Sequence, residues 1–219
     1  MSDINIGLLA ENQNLSEFEI TENFSCVRFL DQNKERFELE FNLEKGTSFN
    51  TFFIRSHEEL FIIHPPEKQY LNSFNKVISR FCDQFKLDKI NFISGHINPQ
   101  IIETIKNIST QFQNTTITCS NPGYKLISEL WNQRNPTLEN FIEIQLPEIN
   151  IIKKELNLEL DNISLELIPI PTARWPGGLI IYERNQEILL SEKIFSAHIA
   201  SKYWSETNRV STEIDRKHF

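Results

Sequence analysis

The change of hydrophobic period at Pro65-Pro66 restricts the possible folds of this chain more than any other feature. Before it, apolar residues sit in short runs rich in Phe, Ile, Val and Thr: 23–30, 37–43, 48–55 and 59–63. Charged or glycine-containing turns such as Glu44-Lys45-Gly46 separate them, which is the pattern of consecutive strands. After it, Tyr70, Phe74, Val77, Ile78 and Phe81 recur at helical spacing and predict a helix over 67–82. An apolar strand over 89–93 follows. Pro99 then opens a helix with Ile101, Ile102, Ile105 and Ile108 on one face. A strand over 115–119 and a helix over 122–131 complete an alternation that implies a buried parallel region. The polar stretch 132–140 reads as a loop. Strands return over 155–160, 164–170, 179–183 and 187–191, with Leu156, Leu158 and Leu160 on one face and Leu165 and Leu167 on another. Strands, then helices, then strands suggest two sheets with helices outside, an αββα sandwich. The pattern alone leaves other α/β and α+β arrangements open.

The 219 residues suffice for one sizeable domain, and 17 Phe give it a large apolar load. The net charge of −8 and the lack of a basic face argue against nucleic acid as a partner. Lys153-Lys154 and Arg216-Lys217 are too short as clusters to bind a phosphate backbone, and read as solvated surface. Cys26, Cys82 and Cys119 are odd in number and far apart, as expected of buried free thiols in a reducing compartment. No signal peptide is read at the N-terminus, and no apolar run reaches the roughly 20 residues of a membrane span. The expected location is cytoplasmic.

Four segments, in order, resemble the flavodiiron protein family. Gly46-Thr47-Ser48-Phe49-Asn50 is similar to the family's Gly-Thr-Thr-Tyr-Asn strand. Gly95-His96-Ile97-Asn98-Pro99-Gln100-Ile101 stands where the family carries H-x-E-x-D-H. Pro171-Thr172-Ala173-Arg174-Trp175-Pro176 resembles Pro-Thr-x-x-His-Trp-Pro with one spacer residue fewer. Ile188-Leu189-Leu190-Ser191-Glu192-Lys193-Ile194-Phe195 resembles Leu-Phe-x-x-Asp-x-Phe, and Ser196-Ala197-His198 stands at its Gly-x-His. Lys193 follows Arg174 by 19 positions (193 − 174), the separation of the family's His and Asp. In particular the chain resembles the diflavin branch of cyanobacteria and photosynthetic eukaryotes. The resemblance implies a metallo-β-lactamase-like αββα fold over 1–219 as a single domain, without its last strand and helix. It also implies a family activity of oxygen reduction to water, with electrons from NAD(P)H or a photosynthetic carrier. In complete members a diiron centre and FMN on a flavodoxin-like module perform it. That module is not read in this chain.

On this register only His96 keeps a ligand type. Asn98, Gln100 and Ile101 stand at Glu, Asp and His positions; Arg174 replaces a ligand His, Lys193 replaces the bridging Asp, and the family's last ligand His falls beyond Phe219. An iron pair needs anionic oxygens and neutral imidazoles. Like unit charges about 4 Å apart cost about 4 kcal/mol at an effective dielectric of 20, and a divalent ion doubles that. Neither metal nor flavin is therefore expected on this chain. Two readings of the vacated pocket stay open. In one, His96, Arg174, Lys193 and Trp175 hold an anion, or the cations pair with a carboxylate such as Glu192. In the other, the cations turn outward from a collapsed pocket.

The other candidates are bland. His64-Pro65-Pro66 reads as a rigid loop; His57, His198 and His218 as surface; Cys119 as a strand-end core thiol rather than a nucleophile. GxSxG, P-loop and GxGxxG patterns are missing, and the zinc hydrolase motif HxHxDH fails after His96. The expectation is thus a metal-free, redox-inactive subunit, alone inactive and not a hydrolase. It would act in a homo- or hetero-oligomer with a flavodiiron-type subunit, favoured by the open sheet edge of a shortened sandwich. The alternative is an anion- or small-molecule-binding module built on the vacated pocket.

Overall fold

The computed structural model describes residues 7–12, 14–33, 36–37, 40–41, 46–133, 144–170, 175, 177–194 and 200. Among these, the larger sheet runs in the order β1-β2-β3-β6-β7-β8-β9-β10. Its strands are β1 (Gly7–Asn12), β2 (Leu15–Thr21), β3 (Phe24–Asp31), β6 (Thr47–Ser56), β7 (Glu59–Ile63), β8 (Lys89–Ile93), β9 (Thr115–Ser120) and β10 (Glu148–Ile152). The short strands β4 (Arg36–Phe37) and β5 (Glu40–Phe41) pair only with each other. β1 to β7 join antiparallel along the sheet, and β7, β8, β9 and β10 pair in parallel. The parallel pairs are crossed by α1 (Leu71–Phe85), α2 (Pro99–Gln111) and α3 (Asn121–Asn132). The smaller, antiparallel sheet is β11 (Leu156–Leu160), β12 (Ile163–Pro169), β13 (Leu179–Glu183) and β14 (Ile188–Leu190).

Alternation within the strands separates two cores. Phe53, Leu60, Ile62, Ile90, Phe92 and Ile117 face the helices, with Phe74, Val77, Ile78 and Phe81 of α1 and Ile101, Ile105 and Ile108 of α2. Ile54, Phe61, Ile63 and Ile93 face the smaller sheet, meeting Leu165, Leu167, Leu179, Ile181 and Leu190. A central strand buried on both faces needs an unbroken apolar run, and Leu60-Phe61-Ile62-Ile63 supplies one. The described residues therefore form helix, sheet and sheet layers of the expected sandwich.

Several expectations are corrected. The helix expected over 67–82 begins with a 3-10 turn at Lys68–Tyr70 and continues to Phe85, closing on Lys86 in left-handed conformation (φ 59°). The strand expected over 37–43 is split between β4 and β5, with 42–45 outside the described residues. β1, β2 and β10 were not individually predicted; β10 lies at a sheet edge, and its outward residues lack a repeating apolar partner. The Leu156, Leu158, Leu160 stripe is buried only at Leu160, while Leu156 is 45% exposed, because β11 is an edge strand. The three cysteines are free and buried, and burial pushes the Cys119 thiol up to about 12, which removes the nucleophile reading.

Candidate functional site

Parallel strands present their carboxyl ends together, and the loops leaving those ends are where α/β sheets place their chemistry. Here β7 runs into His64, β8 runs into Ser94-Gly95-His96, and Ser120 of β9 caps α3. The smaller sheet brings the start of β13 and the end of β14 to the same place. Glycines permit the approach. A Cβ on Gly95 would lie 2.3 Å from the Leu179 carbonyl oxygen and 3.0 Å from the His64 ring. Ser120 Oγ donates to the Gly177 carbonyl (3.0 Å) and accepts from Gly123 N–H (3.2 Å), so one hydroxyl caps a helix and ties the two sheets together.

The first loop is organised by Asn98. Its Oδ1 accepts from Ile101 N–H (2.9 Å), the N-cap of α2, with Pro99 in the first turn. That contact fixes the amide orientation and turns Nδ2 towards His96 Nε2 (3.3 Å) and Glu67 Oε1 (3.4 Å). Gln100 is exposed on the first turn of α2, and Ile101 is packed into the helix-side core. Of the positions matched to H-x-E-x-D-H, His96 and Asn98 meet, while Gln100 and Ile101 point elsewhere.

His64 is the residue that sequence reasoning undervalued. Its backbone is held by Ile93 and Thr51, through His64 N–H to the Ile93 carbonyl (2.9 Å) and Thr51 Oγ1 to the His64 carbonyl (2.8 Å). The chain then turns through φ 56° before Pro65. The ring is buried, and neither nitrogen makes a hydrogen bond of good geometry. Burial, and secondarily the neighbouring His96, hold its pKa down at about 3; the Leu190 backbone opposes this weakly. The ring is therefore neutral at physiological pH. Its place at the carboxyl end of a parallel strand was the available signal.

Beside this loop lies a small cleft of about 20 Å³, lined by Gly95, Trp175, Leu179, Ser191, Glu192 and Lys193 among others. It has room for roughly one water-sized occupant. Glu192 takes φ 53° in the tight turn closed by Ile194 N–H to the Ser191 carbonyl (3.0 Å), which carries Lys193. Lys193 and Trp175 thus reach the cleft that Gly95 borders. Arg174 and His198 lie outside the described residues, as does His218; His57 is on the surface.

Among the described residues no three of His, Cys, Asp and Glu are grouped for a metal ion. Asn98 is engaged as a cap, Gln100 faces solvent and Ile101 belongs to the core.

Comparison with known proteins places this arrangement. The model of the family described as "ODP family beta lactamase" matches residues 47–218. A putative diflavin flavoprotein A 5 from Nostoc sp. is 28% identical over 204 residues, covering 91% of this chain and 33% of the relative. A putative diflavin flavoprotein A 3 from Synechocystis sp. is 28% identical over 185 residues, covering 84% of this chain and 29% of the relative. The chain thus spans about a third of the length of these curated relatives. Among solved structures, the metal-soaked Flv1 flavodiiron core from Synechocystis sp. superposes with a TM-score of 0.78 at 26% identity, over 94% of this chain and 48% of that one. The flavodiiron protein of Giardia intestinalis, at 18% identity and a TM-score of 0.69 over 89% of this chain and 43% of that one, shares the fold. Among the described residues no helix is long and apolar enough to cross a membrane.

Proposed function

The chain belongs to the ODP beta-lactamase family, and on that premise we propose that it is a metal-free, redox-inactive domain of a flavodiiron-type assembly. In this reading a competent partner, or a longer polypeptide, supplies the iron and FMN for oxygen reduction, and this domain contributes surface and structure. The observation that carries the reading is the fate of the first-loop positions: amide cap at Asn98, solvent at Gln100, core at Ile101. Lys193 at the neighbouring cleft adds positive charge where anionic oxygen is needed.

The test has two parts. After anaerobic reconstitution with ferrous iron and desalting, metal analysis should find far less than one iron per chain. On size-exclusion chromatography, mixing with a ligand-complete flavodiiron protein should give a shared peak. Two irons per chain would overturn the metal-free reading, and separate peaks would overturn the partner. The second reading is an anion- or small-molecule site using His96, Arg174, Lys193 and Trp175, supported by the cleft that Trp175 and Lys193 line beside Gly95. Chloride-dependent shifts of the Trp175 indole resonance would favour it.

A further inference from the structure

We propose that the edge of β10 pairs antiparallel with β10 of a second copy of this chain, on a two-fold axis through Ile151. This surface is independent of the metal-free reading above. Among the described residues β10 is the last strand of the larger sheet, paired with β9 on one side only. Such an edge offers a row of backbone donors and acceptors to another strand. Ile151 is 37% exposed on it. Leu156, 45% exposed on β11, lies on the same flank, since only Lys153-Lys154-Glu155 joins the two strands. Packing sets the two faces of β10. Ile149 lies against the helix-side core and Ile152 in the core between the sheets, so odd and even positions face opposite ways. A two-fold axis normal to the sheet keeps each face on its own side, so a residue can oppose only one of its own parity. With the axis at Ile151, Glu148 stands opposite Lys154, each three positions from the centre, and Ile151 meets its own copy. No other centre within β10 sets a basic residue opposite Glu148. Both residues are exposed, and among the described residues neither makes an ion pair within the chain. The symmetry forms the pair twice. Charge complementarity thus selects a second copy as the occupant of this edge, and the two larger sheets continue as one.

The test is sedimentation velocity of the whole chain across micromolar concentrations at low salt, where exposed charges are least screened. The wild type should show a concentration-dependent equilibrium between monomer and dimer. Glu148→Lys sets two cations against each other on both sides of the axis and should raise the dimer Kd at least about fivefold. Lys154→Glu should act alike. Combining Glu148→Lys with Lys154→Glu remakes the pair with its signs exchanged, and should return Kd to within about twofold of wild type. Ile151→Lys brings two ammonium groups together on the axis and should raise Kd at least about tenfold. Leu189→Lys, at the far edge of the smaller sheet, should leave Kd unchanged. All four positions are exposed, so these variants should keep the fold, and the charge-exchanged variant controls for it. A wild type that stays monomeric at every concentration overturns the proposal. So does a dimer that ignores both Glu148→Lys and Ile151→Lys, or one that the exchanged charges fail to restore. If the wild type is monomeric and Ile151→Lys abolishes a shared peak with a ligand-complete flavodiiron protein, the edge serves that partner and the second copy is overturned as its occupant.

Discussion

At the hairpin end of the sandwich, where β7 and β12 begin and β13 ends, buried polar groups close on one another. Glu59 accepts from Lys89 Nζ (3.0 Å) and Asn91 Nδ2 (2.7 Å), and Asn91 Oδ1 accepts from Thr116 Oγ1 (2.6 Å). Glu183, 1% exposed, takes the backbone N–H groups of Ser164, Asn185 and Gln186 at 3.2, 3.1 and 2.6 Å. His57 and Asp161 join the turns of the two sheets (3.1 Å). At the opposite end the same strands finish in two long amide contacts and a histidine with neither nitrogen well bonded. Buried polar groups are normally paired, as they are at the hairpin end, and the poorly bonded His64 ring departs from that rule.

This contrast can be broken by substitution. Gly95→Ala should cost the most, at least about 3 kcal/mol in urea denaturation, because the new Cβ meets a backbone carbonyl that has no room to yield. Tolerance of alanine there would mean that the two sheets do not close tightly at the open end. Glu183→Ala should cost about 2–3 kcal/mol by leaving three N–H groups without their acceptor. His64→Leu, which removes the orphaned nitrogens, should change stability by no more than about 1 kcal/mol at pH 7.5. If it costs as much as Glu183→Ala, the ring has a partner and the comparison fails.

The same histidine gives a pH signature. Its folded pKa of about 3 lies below the unfolded value of 6.5, so the unfolded chain binds the extra proton between them. The contribution of neutral His64 is complete above pH 6.5 and is lost as pH falls towards 3. The wild type should lose up to about 1.4 kcal/mol per pH unit relative to His64→Leu within that window. Parallel curves would show that the ring reaches water. Ser120→Ala should cost about 1 kcal/mol in thermal denaturation, from one cap and one inter-sheet hydrogen bond. A larger loss would shift weight from the glycines to this hydroxyl as the tie between the sheets.

Much of this molecule follows from local pattern. The period change at Pro65-Pro66, the stripe Phe74, Val77, Ile78 and Phe81, and the apolar run Leu60-Phe61-Ile62-Ile63 determine helices, strands and the buried parallel region, because side-chain direction repeats with fixed period in each element. The motif segments determined the family. The outer strands β1 and β10 and the exposure of Leu156 were decided by position in the sheets, which local pattern does not encode. The site divides in the same way. The sequence by itself determined which residue types stand in the segments that match the family. Only the tertiary structure decided that Asn98 caps a helix while facing His96, that Gln100 turns to solvent, and that His64, read as a loop residue, is enclosed between the sheets. The physical reason is that burial and hydrogen-bond partners come from segments far apart in the chain, such as Gly95 against Leu179, and exist only once the two sheets have closed.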